Sequence, residues 1–530
     1  MALPKSLLSI GAGFLSGREA SRLRKERNDG AAQGAVFDSL IPHLAQGFVW
    51  AEAGIVPGMD YEAFQSGVPL HAYPDLARHV DSMKRGAEDV LWPGRCSLYA
   101  VTSGSGGAPA KFIPLPEVMI AHFRRAAIDS MFWYTARTGH TRALKGRHLS
   151  LGGTTALTRI PATGDFQAMC GDITGIAALK QPEWSERHFY EPGAKIALIP
   201  DWSERMAAIG ERAPSIDVTL LAGMPESVVG LVEALRACGS LGPKAALQDI
   251  WPRLDCIVHG GEPIGPYLDE LVGAAGPGVN FHEVYVASEG FIAAQDAGSS
   301  DGLRLMTDAG IFFEFLPLAD YDESRLHNLG PKAIPLSEVA EDVDYVLVLT
   351  TPSGLARYVP GDIVRFASTE PPRITYVGQT RLQLNAFGEH VSEKDITDTL
   401  VSVCRRNGWN IVNFHVAPLF GGSSMGTTMG KYLGRHEWWV ELRAGTVVTP
   451  TGPVMAPELD AELRRQNRDY DARRRDGVIE PPYVRLVMPG VFAQRMRHHG
   501  KWGGQNKMPR CQSDRAIADE LGSALQFAKD

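Results

Sequence analysis

Five short segments of the 530-residue chain combine residue types that could do chemistry. The first, "TSGSGGAPAK", places Ser103, Ser105, Gly106 and Gly107 shortly before Lys111. The backbone N–H groups of such a loop can surround an anion while a lysine neutralises its charge. A flexible linker is the alternative interpretation.

The apolar stretches on either side predict how this loop is placed. "SLYAV" before it is typical of a strand, and "LPEVMIAHFRRAAIDSMFW" after it is typical of a helix. A turn between a strand and a helix is where amides and a helix dipole hold phosphate. The spacing matches neither G-x-x-x-x-G-K-[ST] nor a dinucleotide G-x-G-x-x-G motif, so the sequence indicates a phosphate loop of another kind.

The second and third segments follow predicted strands. In "HGGEPIGP", Gly260 and Gly261 would allow a planar ligand to approach the backbone, or would form a plain turn. In "VYVASEG", Tyr285, Ser288 and Glu289 lie at a strand end, where open α/β folds bind ligands. Tyr285 could stack on a base, and Glu289 could hold Mg²⁺ on a triphosphate or be an exposed loop carboxylate.

The fourth and fifth segments add a carboxylate and a lysine. "SGLARYVPGDIVRF" sets Arg357, Tyr358 and Asp362 around a Pro-Gly turn. Asp362 could accept hydrogen bonds from both hydroxyls of a ribose, or simply cap the turn. In "HHGKWGGQNKMPRC", Lys507 on a mobile loop could meet a developing negative charge, although a solvated basic tail is the alternative.

The elements that must position these segments are of two kinds. Buried runs, which predict strands, alternate with helical stretches such as 227–238, and this alternation indicates α/β architecture. These runs are "HLSL", "KIALIP", "IDVTLLAG", "LDCIVHGG" and "FHEVYVASEG". A strand-rich stretch follows between residues 311 and 379, and it predicts a barrel or a mostly antiparallel sheet.

The pattern changes near Gly378. Ser392 and Asp395 form a helix-start signature, and the later runs "IVNFHVAP", "HEWWVEL" and "YVRLVMP" are strand-like around the polar helix "APELDAELRRQNRDYDARRR". We therefore predict two domains, residues 1–378 and 379–530, the second a small α+β domain. The piece "GGSSMGTTMG" is expected to be a mobile loop between two strands.

Composition excludes several classes of protein. A net charge of −8 argues against nucleic-acid binding. The six cysteines form no C-x-x-C pair, which argues against a zinc ribbon or a disulfide framework and favours the cytoplasm. The N-terminal segment predicts an amphipathic helix that packs on the body rather than an export signal, and no run is long enough to span a membrane.

The order of the five segments resembles the ANL superfamily of adenylate-forming enzymes. More narrowly, it resembles the acyl acid amido synthetases, the Gretchen Hagen or auxin-responsive family, in its bacterial branch. The resemblance extends from about Gln33 to Arg510 and includes "VLWPG", "KFIPL", "FFEFLP" and "GKWGGQNKMPR". It implies a large N-terminal adenylate-forming α/β domain with a β-barrel-like part, and a smaller, mobile C-terminal domain.

The resemblance also implies roles for individual residues. Lys507 and Lys111 would be catalytic, and Glu289 would bind the metal. The acyl pocket would include Ser130, Met131, Tyr134 and Met224. The ATP-binding residues would be Ser103, Ser105, Gly106, Gly107, Gly261, Glu262, Tyr285, Ser288, Glu289, Tyr358 and Asp362. The aromatic residues Phe132, Trp133 and Tyr134 favour an aromatic acid as the acyl substrate.

Two positions depart from the family pattern. Relatives commonly carry Thr-Ser where this chain has Ser105–Gly106, so one hydroxyl is lost while the amides remain. Many superfamily members have Gly-Arg-x-Asp at the hinge, where this chain reads Gly378–Gln379–Thr380–Arg381. No hinge aspartate is therefore assigned.

The implied function is an ATP- and Mg²⁺-dependent ligase that adenylates a carboxylic acid and transfers the acyl group to an amine. In the resembled family that amine belongs to an amino acid. The alternatives are a ligase that uses CoA thiol or another nucleophile, and a non-catalytic scaffold. Neither nucleic acid nor a membrane is an expected partner, and a monomer is favoured.

Overall fold

The computed structural model describes residues 5–25, 30–102, 110–161, 165–421, 434–443, 450–500, 503 and 507–527. Its α-helices, in chain order, are α1 Lys5–Lys25, α2 Ala31–Leu44, α3 Phe48–Glu52, α4 Tyr61–Gly67, α5 Tyr73–Lys84, α6 Glu117–Thr138, α7 Ile173–Leu179, α8 Glu183–His188, α9 Ala194–Ala197, α10 Trp202–Arg212, α11 Pro225–Ala237, α12 Leu247–Ile250, α13 Leu268–Ala275, α14 Glu393–Asn407, α15 Gly452–Gln466, α16 Arg468–Arg475, α17 Val491–His498 and α18 Ala516–Phe527.

The strands, in chain order, are β1 Leu98–Thr102, β2 Lys111–Pro114, β3 Arg147–Ser150, β4 Thr158–Ile160, β5 Ala168–Gly171, β6 Tyr190–Glu191, β7 Val218–Ala222, β8 Cys256–Gly260, β9 Asn280–Ala287, β10 Gly290–Ala294, β11 Leu303–Leu305, β12 Phe312–Pro317, β13 Ile334–Pro335, β14 Asp344–Thr350, β15 Asp362–Thr369, β16 Pro372–Gln379, β17 Gln383–Leu384, β18 Val391–Ser392, β19 Ile411–Phe420, β20 Gly434–Leu442 and β21 Tyr483–Val487.

One mixed sheet of 12 strands organises the larger part of the chain, in the order β13-β12-β14-β15-β16-β11-β10-β9-β8-β7-β3-β6. The run β6-β3-β7-β8-β9 is parallel, as the buried strands and intervening helices predict. The strands from β9 onward pair antiparallel. Of the two alternatives for the strand-rich stretch, the structure therefore has the antiparallel sheet, continuous with the parallel half.

The prediction of one strand is wrong. The run "KIALIP" contains the short helix α9 instead of a strand. The run starts four residues after β6, the edge strand of the large sheet, and Gly193, with a φ of +86°, turns the chain into α9 instead. Ala197 is the buried residue of α9, which agrees with a short surface turn rather than a buried strand.

The first glycine-rich loop also connects different elements from those expected. Lys111 begins β2, which pairs antiparallel with β1 through Thr102 and Lys111. The elements on either side of this segment are therefore two antiparallel strands, and α6 begins only at Glu117. The apolar "KFIP" run forms a strand because β1 offers it a hydrogen-bonding edge in a separate four-stranded sheet, β2-β1-β5-β4. A helix dipole at the end of the loop is thus not part of this site.

The C-terminal part has its own sheet and core. Strands β19, β20 and β21 form a three-stranded sheet, and Ser392 caps α14 with Asp395 in the expected capping box. A hydrophobic cluster from Leu382 to Cys511 packs α14 and α15 on this sheet. The polar helix is divided into α15 and α16, because the Asn467 side chain caps the second helix. The boundary at residues 378/379 stays a prediction, and most of the "GGSSMGTTMG" loop lies outside the described residues.

The N-terminal helix packs on the body, as expected. Glu19 of α1 accepts a hydrogen bond from the Trp133 indole of α6 at 3.3 Å, and Arg22 pairs with Asp308. Among the described helices, none has the length and apolar character needed to cross a membrane.

Candidate active site

Lys111 lies beside the predicted metal ligand. Its Nζ donates to the Tyr358 hydroxyl at 3.3 Å, and that hydroxyl donates to Oε1 of Glu289 at 3.4 Å. Glu289 is buried, and Ser288 and Glu289 form the tight turn between β9 and β10. Burial raises the pKa of the Glu289 carboxyl, and the nearby Lys111 ammonium opposes that rise. A further cation beside Glu289 would favour its ionised form in the same way.

Asp362 sits at the start of β15, directly after Gly361, whose φ of +102° lies in the left-handed region. Its Oδ2 accepts a short hydrogen bond from the Tyr285 hydroxyl, and its Oδ1 accepts one from Nε2 of Gln379 at 3.0 Å. Each carboxylate oxygen can accept a second hydrogen bond. Asp362 is therefore fixed by β9 and β16 and still able to bind a pair of hydroxyls.

Lys507 reaches this cluster from the C-terminal segment. Its Nζ donates to the carbonyl of Gly261 at 3.1 Å and lies 5.8 Å from the centre of the Tyr376 ring. Tyr376 in turn packs edge-on against Tyr285 at 5.8 Å between ring centres. The Glu289 carboxyl interacts electrostatically with both Lys111 and Asp362, which links these contacts to the Lys111 group. Each of the five segments thus contributes to one cluster, through Lys111, Gly261, Tyr285, Asp362 and Lys507.

Glu262 is engaged by neighbouring protein groups. Its Oε1 accepts from the backbone N–H of Glu226 at 3.0 Å, and its Oε2 accepts from the Tyr267 hydroxyl and from Arg510, both at 3.2 Å. The loop after β8 is therefore tied both to the start of α11 and to the C-terminal segment.

A buried arginine holds the fourth segment. Arg357, fully buried with a φ of +47°, donates to both carboxylate oxygens of Glu314 on β12, at 3.1 and 2.8 Å. It also donates to the carbonyls of Gln65, Val68 and Gly330. Tyr358 follows it directly, so Arg357 positions the segment while its own guanidinium is used by the protein.

The residues proposed for the acyl pocket lie on α6 and on the loop after β7. Ser130 is buried, with its hydroxyl 2.8 Å from Nε2 of His282. Tyr134 is fully buried, and its hydroxyl donates to Asp255 at 2.8 Å. Met131 is half-buried and packs against the small hydrophobic cluster that contains Tyr134. Met224 is buried at the N-terminus of α11.

The neighbouring aromatic residues Trp133 and Tyr134 of α6 do not share one surface. Trp133 donates to Glu19 of α1, whereas Tyr134 packs with Cys256 and Leu220 of the large sheet. Adjacent helical residues point about 100° apart, so the two rings cannot line one pocket side by side. Trp133 therefore gives no support to the prediction of an aromatic acid as substrate.

Four of the proposed phosphate-binding residues, Ser103, Ser105, Gly106 and Gly107, lie outside the described residues. Their role stays a prediction. Lys111 at the end of the same loop is described.

Sequence reasoning missed several members of the cluster, among them Tyr376, Gln379, Glu393 and Arg510. Glu393 is buried, and its Oε2 has no hydrogen-bond partner among the described residues. Burial raises the pKa of its carboxyl, and Lys507 and Arg510 oppose that rise. For two of these residues, their position in the sequence could have indicated the site. Gln379 ends the strand next to Asp362, and Arg510 lies three residues after Lys507.

Comparison with known proteins gives matches along most of the chain. Models of the GH3 family match in order: the N-terminal domain at residues 25–210, the central domain at 304–379 and the C-terminal domain at 397–516. Indole-3-acetic acid-amido synthetase GH3.8 of Oryza sativa subsp. indica is 26% identical, covering 94% of this chain and 91% of the relative. Probable indole-3-acetic acid-amido synthetase GH3.1 of Oryza sativa subsp. japonica is 24% identical over 54% of this chain, and the alignment spans about half (48%) of that relative.

Solved structures share the fold. AtGH3.15 acyl acid amido synthetase, solved in complex with 2,4-DB, superposes with a TM-score of 0.75 at 18% identity, covering 96% of each chain. A 2-hydroxyisobutyryl-CoA ligase in the postadenylation state superposes with a TM-score of 0.58 at 15% identity, covering 94% of this chain and 92% of that one. The chain therefore shares the fold of these two proteins. With three successive domain models of one family matched in order, the chain belongs to the GH3 family.

Proposed function

We propose that this protein is an ATP-dependent acyl acid amido synthetase. It would convert a carboxylic acid to an acyl adenylate, releasing pyrophosphate, and then transfer the acyl group to an amine, most simply that of an amino acid. The names of the GH3 relatives support the amide-forming reaction. Assignment to a bacterial branch stays a prediction.

The observation that carries the proposal is the convergence of the five segments. Lys507 contacts Gly261. Hydrogen bonds join Lys111, Tyr358 and Glu289 in one group and Tyr285 and Asp362 in another, and the Glu289 and Asp362 carboxyls are close enough to interact electrostatically. This set contains what adenylation needs: cations for phosphates, a carboxylate for a metal and a carboxylate for a ribose.

Magnesium fits the residues present. Glu289 supplies a buried carboxylate oxygen, and Mg²⁺ is commonly held by one or two carboxylates together with substrate phosphates. Bound there, Mg²⁺ would neutralise charge on the phosphates. Lys111, next to Glu289, would orient the same phosphates.

The chain's own groups then act on the substrates. Asp362 would fix the ribose, held in place by Tyr285 and Gln379. The carboxylate of the acid would attack the α-phosphorus in line as pyrophosphate leaves. Lys507 would stabilise the negative charge that develops on the attacking and bridging oxygens. Movement of the C-terminal domain would then withdraw Lys507 and admit the amine.

We also propose that the protein works in the cytoplasm, a reducing compartment. All six cysteines are free, five of them buried, which supports this placement. The monomeric state stays a prediction.

The first experiment is ATP–pyrophosphate exchange with a panel of aryl, indolyl, fatty and amino acids. We expect exchange with one class of acid, and the loss of that exchange in Lys507→Ala. Protein that binds ATP but exchanges with no acid would contradict the proposal and favour a scaffold.

A second experiment separates the two enzyme classes. With the active acid present, amino acids and CoA are compared as stimulants of AMP release. Stimulation by amines with formation of an amide is expected. Stimulation by CoA alone would assign the protein to the thioester-forming ligases instead.

A further inference from the structure

We propose that Arg510 and Glu262 form a positioning pair that holds the C-terminal segment in the orientation in which Lys507 reaches the nucleotide site. The inference rests on the proposed function, because it concerns the adenylation step. It assigns Glu262 to domain orientation and adds Arg510, which the motifs did not identify.

The guanidinium of Arg510 is buried among polar and aromatic partners. It donates to the Tyr267 hydroxyl at 2.8 Å and to Glu262 at 3.2 Å. Its other terminal nitrogen donates to the Asn413 side chain at 2.5 Å. The guanidinium also lies 4.8 Å from the centre of the Phe414 ring.

These partners belong to two different parts of the molecule. Glu262 and Tyr267 follow β8 of the large sheet, and Glu262 is also bonded to the N-terminus of α11. Asn413 and Phe414 belong to β19 of the C-terminal sheet. Arg510 therefore joins the two sheets through one buried side chain.

The backbone around Arg510 moves with the C-terminal sheet. The N–H of Val416 donates to the Arg510 carbonyl at 2.9 Å, and Nδ1 of His415 donates to the Pro509 carbonyl at 2.8 Å. Lys507 lies three residues before Arg510, and three residues span at most about 10 Å. Fixing Arg510 on Glu262 thus keeps Lys507 near Gly261, and rotation of the C-terminal sheet must first separate the pair.

The other ion pairs described across the same face, Arg405–Asp269, Arg443–Glu233 and Arg443–Glu270, have side chains between 29% and 74% exposed. Solvent weakens such pairs. The Arg510 and Glu262 side chains are only 5% and 2% exposed. Loss of one partner there leaves the other buried charge without its hydrogen-bonded counter-charge. Opening of the face therefore depends mainly on the buried pair.

The test uses the full-length protein with its active acid. Variants are Arg510→Met, which keeps the length of the side chain, Glu262→Gln, which keeps its shape, and the double variant. Arg405→Met is the matched control. Each is measured for ATP–pyrophosphate exchange, for aminolysis of a supplied acyl adenylate, and for thermal unfolding.

A positioning pair predicts a specific pattern. Each single variant should lose exchange by about 20-fold, and the double variant should lose about as much as the worse single one, because the two changes break the same interaction. Aminolysis of supplied adenylate should stay within about threefold of wild type, since it does not need Lys507. Arg405→Met should resemble wild type in both reactions.

Three results would overturn the inference. Equal loss of both reactions, with a lower unfolding temperature, would indicate a purely structural role. Loss in Glu262→Gln alone would place Glu262 on the nucleotide. Unchanged exchange in Arg510→Met would remove the pair from the mechanism. Absence of exchange in wild type with every acid would instead count against the proposed function.

Discussion

Lys507 is the residue on which the adenylation chemistry depends most directly. Its ammonium donates to one carbonyl, lies against one aromatic ring and interacts electrostatically with the buried Glu393 carboxyl. A phosphate oxygen can replace the carbonyl as hydrogen-bond acceptor. Lys507→Ala should lower ATP–pyrophosphate exchange by at least about 100-fold, because an electrostatic group aimed at the developing charge is lost. The unfolding temperature should not change.

The control for this variant is Lys394→Ala on α14, where Lys394 is exposed and pairs with Asp398. It should exchange like wild type. Normal pyrophosphate exchange in Lys507→Ala would remove Lys507 from the reaction.

The role proposed for Asp362 predicts an effect on ATP binding rather than on the reaction rate. Asp362→Ala should weaken ATP binding by on the order of 2–3 kcal/mol, the worth of hydrogen bonds to a charged acceptor. Calorimetry with ATP measures this directly. Asp320→Ala, on a surface ion pair with Lys332, is the control, and unchanged affinity in Asp362→Ala would rule out the ribose assignment.

At the scale of elements, strand β12 and the segment before β15 are joined by Arg357 and Glu314. Both side chains are at most 1% exposed. Glu314→Gln should destabilise the fold by roughly 3–5 kcal/mol, because the Arg357 charge stays buried without its partner. Chemical denaturation measures the change. A variant of the exposed pair Arg187–Glu183, Glu183→Gln, should scarcely differ from wild type.

Helix α6 and strand β10 are linked by a histidine that is neutral in the folded protein. Nδ1 of His122 donates to the Ala309 carbonyl at 2.6 Å, and Nε2 accepts from the Phe291 N–H at 2.9 Å. Burial lowers the pKa of His122 to about 4. Its contribution to stability is complete above the unfolded pKa of about 6.5 and is lost as pH falls from there to about 4.

His122→Gln should therefore reduce the acid sensitivity of the fold. The stability lost between pH 7 and pH 5 should be smaller than in wild type by about 2 kcal/mol. Denaturant unfolding at both pH values gives the comparison. The exposed His498 provides the control in His498→Gln, and an unchanged pH dependence in His122→Gln would contradict the burial argument.

At the scale of the whole molecule, the C-terminal sheet meets the large sheet beside α14. A Cβ placed on Gly265 would lie 3.7 Å from a methyl group of Val401. Gly265→Cys with Val401→Cys should thus form a disulfide that prevents rotation of the C-terminal part. The oxidised protein should keep acid-dependent pyrophosphate exchange and lose at least about tenfold in amide formation, because Lys507 cannot withdraw.

Reduction should restore amide formation, and the two single-cysteine variants should behave like wild type. The exposed Cys238 is replaced by serine throughout to avoid wrong pairs. Full amide formation in the oxidised protein would show that no domain movement is needed.

The sequence by itself determined the local elements and the order of the chemical segments. Apolar periodicity and capping residues predicted most strands and helices, including α14 with Ser392 as its cap, because these signals act between neighbours in the chain. The five segments also carried the family resemblance, which the domain matches confirm.

Only the tertiary structure decided how those elements pair. Lys111 became part of a strand because β1 offered it a hydrogen-bonding edge, and "KIALIP" became the helix α9 after the edge strand β6. The Arg510–Glu262 pair joins residues 248 positions apart. Such partners depend on which surfaces meet in space, and no local pattern encodes that.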